Sequence, residues 1–273
     1  MQCISPLNIQ RPNGHGPKDR ILVPCSVCPA CLANRRLEWT IRIKEELKCA
    51  DSAHFITLTY EDENLPYGLS ENTLDKADLQ KFFKRLRKTG EIVRYYAVGE
   101  YGTRTLRAHY HIILFNCKNV DHILKSWKLG FCKVDKVEGA SIHYVTKYHV
   151  NKTHYPDGSQ KPFALISKRP AIGSNYINRM QDYHEGYPDR AFYTELGGRK
   201  QKLPRYYRKK LYSESDNILI SNKNVSKSTI AENKRIMDFE NSSNHQTYFE
   251  YDSALKKELI RTYKQKSNHN NKI

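Results

Sequence analysis

The sequence predicts an α+β fold: a central antiparallel sheet with flanking helices. Two observations lead there. Segments of strand and helix composition follow one another in the order strand, helix, hairpin, helix, strand, helix, with short connections. The hairpin is the stretch Arg94–Phe115, two apolar strands joined only by the loop Tyr101–Ala108.

Residues 1–31 are rich in Pro and Gly and hold Cys3, Cys25, Cys28 and Cys31. Overlapping Cys-x-x-Cys steps supply three thiolates, and Cys3 is available as the fourth ligand of a closed tetrahedral zinc site. An iron–sulfur cluster or plain reduced thiols are the alternative readings. Seven cysteines, an odd number, argue against a disulfide frame. From Leu32 to Lys48 the residues Leu32, Trp39, Ile43 and Leu47 recur at helical spacing, leaving Arg35, Arg36 and Arg42 outside the stripe. Arg35 and Arg36 are therefore candidate DNA contacts, with a solvated face as the plain alternative.

Ala53–Tyr60 reads as a strand, with Thr57 and Thr59 on one face, and the Asn64–Gly68 turn follows it. Asp75–Lys88 is a helix that packs Leu79, Phe82, Phe83 and Leu86 inward and stops at Gly90. In the next strand pair, Glu100 ends the first strand and His109-Tyr-His111 opens the second. Alternation puts both imidazoles on one side and Tyr110 on the other, and antiparallel pairing sets Glu100 beside His109. The run Ile112–Phe115 marks this second strand as buried and central. Two histidines and a carboxylate form a metal site with open positions.

Val120–Trp127 is a helix closed by Gly130, and Phe131–Val137 is a strand. Ser141–Lys152 is a helix with Tyr144, Lys147, Tyr148 and Asn151 on one face and Ile142 and Val145 on the other. Between Tyr155 and Tyr212 the chain is basic, aromatic and rich in Gly and Pro, with no clear helix or strand. Arg199, Lys200, Arg205 and Arg208 there are candidate DNA contacts. From Ser213 onward Ser, Asn and Lys dominate, which predicts a largely disordered tail with a late helix near Ser253–Lys264. The implied divisions are a Cys-rich knuckle and basic helix (1–50), a catalytic core (51–155), a basic and aromatic extension (156–212) and the tail (213–273).

Lys and Arg number 46 against 29 Asp and Glu, a net charge of +17 over 273 residues, which points to a polyanionic partner. Nineteen tyrosines offer stacking surfaces for unpaired bases. No run of about 18 apolar residues and no signal pattern occurs, so a cytoplasmic protein without membrane contact is expected. A phosphate-binding Gly-x-x-x-x-Gly-Lys-[Ser/Thr] loop is absent; Gly197-Gly-Arg-Lys200 lacks the spacing.

Together these motifs resemble those of HUH-type rolling-circle replication initiators, and closely those of the replication proteins of Microviridae, the small single-stranded DNA phages of gokushovirus type. The strand Phe55-Ile-Thr-Leu-Thr59, the Gly99-Glu100 strand end, His109-Tyr-His111, then Tyr144-x-x-Lys147-Tyr148 carry the resemblance, which spans residues 1–212. It implies an HUH endonuclease with a ferredoxin/RRM-like core, in which Glu100, His109 and His111 hold Mg²⁺ or Mn²⁺. It further implies that Tyr144 or Tyr148, helped by Lys147, attacks origin DNA to leave a 5′-phosphotyrosine and a free 3′-OH that primes replication. A single-tyrosine nickase, with Tyr148 as packing, stays open. The implied partners are single-stranded DNA and a host helicase and polymerase, inside the bacterial host cell. The alternative from another class is a non-catalytic zinc-containing nucleic-acid-binding regulator.

Overall fold

The computed structural model describes residues 3–11, 16, 19–67, 72–102, 104–150, 155–241 and 247–269, without the side chains of 148–150, 228, 264 and 266–269. Its elements are β1 (Leu7–Gln10), β2 (Arg20–Val23), α1 (Pro29–Leu47), β3 (Ala53–Thr59), α2 (Lys76–Arg87), β4 (Arg94–Tyr101), β5 (Ala108–Phe115) and α3 (Val120–Ser126). There follow β6 (Cys132–Lys136), α4 (Gly139–Val150), β7 (Phe163–Ile166), α5 (Asn175–His184), β8 (Phe192–Thr194), β9 (Lys200–Lys202), α6 (Arg205–Leu211), α7 (Glu214–Glu240) and α8 (Tyr248–His269). They form two compact units, one of Met1–Arg35, Tyr183–Phe192 and Arg208–Ile273, the other of Arg36–Asp182 and Tyr193–Tyr207.

The second unit is the predicted α+β body. Its five strands lie in the order β6-β3-β5-β4-β7, and every neighbouring pair is antiparallel. Strand β5 is central and covered on both faces, as its continuous apolar run requires. On one face Tyr110, Ile112 and Leu114 join Leu79, Phe82, Phe83 and Leu86 of α2 and Ile123 of α3. Full burial of each of those phenylalanines contributes about 1.5–3 kcal/mol. On the other face Ile113 and Phe115 meet Ile43 of α1 and Ile142 and Val145 of α4. The alternation that puts Ile113 and Phe115 on the α1/α4 side puts His109 and His111 there too.

Two buried acids tie later segments to α1. Glu46 accepts from Arg94 and, at 2.7 Å, from the Gly173 amide. Glu45 accepts from the Tyr193 hydroxyl at 2.7 Å, from Lys48 at 2.5 Å and from Arg179. Arg42 lies between the Trp39 and Tyr206 rings, 4.2 and 4.5 Å from their centroids, and donates to the Ile172 carbonyl at 3.0 Å. It is thus a structural cation.

Two stretches differ from expectation. Residues 155–212, which carry no clear pattern, supply the edge strand β7, the β8–β9 pair, α5 and α6. These elements are three to ten residues long, too short for periodicity to show, and they are held by tertiary bonds such as Tyr193–Glu45. The C-terminal stretch, expected to be largely disordered, carries α7 and α8 among its described residues, and the anticipated late helix falls inside α8. A capping box opens α7: Ser213 Oγ accepts from the Asp216 amide at 3.1 Å while the Ser213 amide donates back to Asp216 at 3.2 Å. The sparse apolar residues of the two helices are gathered at one seam, where the Phe239 ring meets those of Tyr248 and Tyr251. No helix among the described residues is long and apolar enough to cross a membrane.

Gly130, where the chain turns into β6, has φ +148°, and a Cβ there would lie 2.4 Å from the Glu61 amide nitrogen and 2.5 Å from the Thr59 carbonyl oxygen. Because these neighbours are backbone of the sheet, Gly130→Ala is expected to lower the unfolding free energy by about 3 kcal/mol or more. Gly139→Ala, whose Cβ would meet nothing within 4 Å, should leave it nearly unchanged. Urea unfolding of both variants checks this contrast.

Candidate active site

The β4–β5 register pairs Glu100 with His109 and Val98 with His111, and β3 brings Thr57 opposite His111. Glu100 Oε1 lies 3.0 Å from both His109 Nε2 and His111 Nε2. The ligand atoms of the three residues all lie within 4.8 Å of one another. Tyr110, facing the other way, is fastened to the start of α2. Its hydroxyl lies 2.7 Å from that of Tyr60, donates to the Asp75 carbonyl at 2.7 Å and accepts from the Asp75 amide at 2.9 Å. Gly99 sits opposite Tyr110, where a Cβ would come within 3.0 Å of Leu74 and 3.2 Å of the Tyr110 ring.

Hydrogen bonds behind the imidazoles set their tautomers. His109 Nδ1 is 2.9 Å from the Arg107 carbonyl, an acceptor only, so Nδ1 carries the proton. In neutral His109 the Nε2 lone pair then faces Glu100. His111 Nδ1 is 3.1 Å from Thr57 Oγ1, and its ring stacks on Phe55 with centroids 5.6 Å apart. Its Nε2, although 3.0 Å from Glu100, is not aligned for a hydrogen bond, and Glu100 Oε2 is likewise buried without a hydrogen-bond partner. A carboxylate and two imidazole lone pairs converging in a buried place are a fitting donor set for a divalent cation. Ligands about 2.1 Å from an octahedral ion sit about 3.0 Å apart along an edge, the spacing seen here.

Burial opposes charge on all three residues, with different outcomes. For Glu100 it is outweighed by hydrogen bonds and charges from His109 and His111, and the pKa is lowered. For His109 it is outweighed by the bonds to Glu100 and the Arg107 carbonyl, and the pKa is raised. For His111 it prevails over Glu100, and the pKa is lowered.

Helix α4 brings Tyr144 to this group. Its hydroxyl donates to Glu100 Oε1 at 3.2 Å, and its ring meets the His111 ring edge-on with centroids 4.8 Å apart. Ile142 and Val145 are buried on the opposite face, while Tyr144 is 38% exposed and so open to a large substrate. The Lys147 pKa is lowered by burial and then by the Arg36 charge, against an opposing effect of Glu100. Arg36 and Glu100 thus both act on Lys147. Tyr148 lies on the α4 backbone with its side chain outside the described residues, and Asn151 lies outside them altogether. Thr57 and Phe55 escaped the functional reading, although the β3–β5 register required by two buried strands would have set Thr57 against His111.

In the other unit Cys3, Cys25, Cys28 and Cys31 present sulfurs within 4.8 Å of one another, and all are free thiols. Cys3 Sγ is 3.6 Å from Cys25 Sγ and 3.8 Å from Cys28 Sγ, close to the edge of about 3.8 Å that sulfurs about 2.3 Å from a tetrahedral zinc define. Amides of Cys25 and Cys28 donate to Cys3 and Cys25 sulfurs at 3.3 Å each. Burial opposes ionisation of Cys28, but the Ile4 and Cys31 backbone and the neighbouring thiols bring its pKa down to about 6. Burial and the hydrogen bonds to Cys28 and Cys3 push Cys31 up to about 12. Four such thiols fit a cation, which relieves that mutual opposition. Ile260 and Tyr263 of α8 pack against the cluster.

Of the expected DNA contacts, Arg35, Arg199, Lys200 and Arg205 are exposed. Arg36 and Arg208 are half-buried, each with a buried Nε that has no hydrogen-bond partner among the described residues.

Comparison with known proteins agrees with this arrangement. A family model described as replication-associated protein ORF2 matches residues 53–154, which hold the sheet hairpin and α4. The chain is 30% identical to replication-associated protein ORF2 of Spiroplasma virus 4, over 70% of this chain and 68% of that protein. It is 29% identical to replication-associated protein VP4 of Bdellovibrio phage phiMH2K, over 67% of this chain and 65% of the relative. Replication-associated protein ORF4 of Chlamydia phage 1 is 25% identical over 70% of this chain and 55% of its own length. The chain thus spans about two thirds of the first two relatives and about half of the third. No solved structure matches it.

The raised pKa of His109 has a measurable consequence. A protonated imidazole cannot ligate, so affinity for a divalent ion is full above the His109 pKa and is lost as pH falls through it, from above the ordinary value of 6.5. Glu100, with its lowered pKa, stays ionised across this window. Calorimetric titration with Mn²⁺ between about pH 8 and pH 5.5 should show that loss, and His109→Ala should abolish the binding at every pH.

Proposed function

The chain belongs to the family of phage replication-associated proteins, and from that premise we propose that it is an HUH endonuclease that starts rolling-circle replication by nicking single-stranded DNA. The observation that carries this reading is the Tyr144 hydroxyl, 3.2 Å from the same Glu100 oxygen that lies 3.0 Å from both histidine nitrogens. A nucleophile and a cation-binding group meet at one partly open place, which is what phosphodiester transfer needs.

Glu100, His109 and His111 would hold Mg²⁺ or Mn²⁺, whose Lewis acidity neutralises charge on the scissile phosphate. Tyr144 provides the nucleophile. Its phenol oxygen forms the bond to phosphorus, the bond from phosphorus to the 3′-oxygen breaks, and the products are a 5′-phosphotyrosine and a 3′-OH. A phenol with an ordinary pKa of about 10 is a weak nucleophile at neutral pH, and the hydrogen bond to Glu100 draws its proton away from the attacking oxygen. Lys147 steadies the charge that develops on the phosphate oxygens. The phosphotyrosine stores the bond energy, so a returning 3′-OH reverses the step and reseals the strand without ATP. Tyr148, one turn along α4, is the nucleophile proposed for the second transfer that ends a round. Duplex opening and chain extension fall to a host helicase and polymerase within the host cell.

Zinc is proposed for Cys3, Cys25, Cys28 and Cys31, as a closed structural site. Elemental analysis should find about one tightly held zinc per chain, and Cys28→Ser should lose both the zinc and thermal stability. A non-catalytic zinc-containing nucleic-acid-binding regulator accounts for the charge and the cysteines but gives Glu100, His109, His111 and Tyr144 no common task.

A labelled oligonucleotide bearing the phage origin separates the two classes on a denaturing gel, since only the enzyme yields a covalent adduct. Mass spectrometry of the adducted peptide should identify Tyr144. Tyr144→Phe is expected to reduce first-strand cleavage by about 100-fold or more. His109→Ala and His111→Ala should abolish it while sparing DNA binding. An undiminished adduct from Tyr144→Phe, or none from the wild type with Mg²⁺ or Mn²⁺, overturns the reading.

A further inference from the structure

The β8–β9 hairpin has an anatomy that the nicking reaction does not use. Its base is fixed: Tyr193 and Leu203 are buried, and Tyr193 donates to the buried Glu45 at 2.7 Å. Glu195 is paired with Lys44 of α1 at 3.2 Å. Beyond that base the chain turns tightly. The Gly198 amide donates to the Glu195 carbonyl at 3.0 Å, which makes Leu196 and Gly197 the central residues of a four-residue turn, and the Glu195 amide donates to the Arg199 carbonyl at 3.0 Å. Gly197 and Gly198 have φ +93° and +82°, a backbone only glycine adopts without strain, and a Cβ on either would meet nothing within 4 Å.

The turn places one large apolar side chain at its apex. Leu196 is wholly exposed, more so than any other large apolar residue among those described. Arg199, Lys200 and Lys202 on the returning strand are exposed too, and the one acid of the tip, Glu195, is neutralised by Lys44. The hairpin also stands near the catalytic helix, since the Glu195 and Lys44 charges both act on His143 of α4, next in sequence to Tyr144. A single leucine is too little apolar surface for a membrane or a stable protein interface. An apolar side chain on a rigid hairpin flanked by cations matches base steps flanked by phosphates.

We propose that this hairpin is a DNA wedge: Leu196 inserts between bases where a single strand leaves a duplex, while Arg199, Lys200 and Lys202 hold the adjoining phosphates. The inference rests on the reading that the chain acts on single-stranded DNA, and it adds how the strand is kept unpaired beside Tyr144. Unstacking costs free energy that the cationic contacts offset, so the wedge changes DNA shape more than affinity.

The test uses the full chain carrying Tyr144→Phe, which binds without cutting, and a forked DNA with 2-aminopurine at the junction. Binding should raise the 2-aminopurine fluorescence about threefold or more, as unstacking does. Adding Leu196→Ser should remove most of that rise and keep the affinity within about twofold, whereas Leu196→Phe should restore it. Arg199→Ala with Lys200→Ala should weaken binding by about tenfold and flatten its salt dependence. Leu196 lies at an open tip, so loss of the fold is not expected, and circular dichroism of the Leu196→Ser protein checks it. No fluorescence rise with the Tyr144→Phe protein, or an equal rise with Leu196→Ser, overturns the wedge; equal behaviour would assign the tip to a protein partner instead. The readout needs no cleavage, so the wedge and the nicking reading fail separately.

Discussion

The pairing register of β4 with β5 is the constraint on which the candidate site depends. Side chains alternate along a strand, so a slip of one residue would turn Glu100 to the α2 face and leave the two histidines without their carboxylate. Three features oppose such a slip. Tyr110 is bolted to Asp75 and Tyr60 on one face, so His109 and His111 have only the other face available. Gly99 admits the Tyr110 ring where any side chain would collide with it. Strand β5 is also enclosed by β3 and β4 and buried on both faces, so every shifted register would expose apolar residues.

That register sets an electrostatic problem with a chemical use. A buried carboxylate facing two imidazole nitrogens is costly unless something positive sits among them, and protonated histidine meets the need only in part. His109 is raised and His111 lowered, so the two do not become charged together. A divalent cation satisfies all three groups at once. The Tyr144 hydroxyl is drawn to the same Glu100 oxygen, which means that the pull on the cation and the positioning of the nucleophile have a common origin. The cysteine cluster answers a similar need with softer atoms: four sulfurs close on themselves and leave no place for a substrate, as suits a structural ion.

How much of this was legible in the sequence follows from the range of the interactions. Glu100, His109 and His111 could be brought together on paper because one short loop joins their strands, and period-two alternation decides the facing. Tyr144 was legible because Ile142 and Val145 mark the buried side of a single helix. Cys3 was harder, being 22 residues from Cys25, yet the four thiols meet. The elements between 155 and 212 were not legible. Strand β7 is four residues long and takes its place from pairing with β4, while Tyr193 and Arg179 are held by a glutamate more than 130 residues earlier in the chain. Nothing local announces such bonds. In α7 and α8 apolar residues are too few for composition to suggest order, and capping and a single aromatic seam do what a broad apolar stripe does elsewhere.

The net charge of +17 also changes meaning once the fold is known. Arg42 is stacked between rings, and Arg94 and Arg179 are committed to Glu46 and Glu45, so these cations hold the α1 side of the sheet together rather than facing solvent. Their pairing with buried acids also explains why two glutamates inside α1 are tolerated beneath a helix that reads as basic. What remains for a polyanion is a smaller, exposed set in which Arg35, Arg199, Lys200 and Arg205 stand out. Total charge is therefore a sound guide to the class of partner and a poor guide to the binding surface, because burial withdraws some cations from solution while a hairpin tip concentrates others.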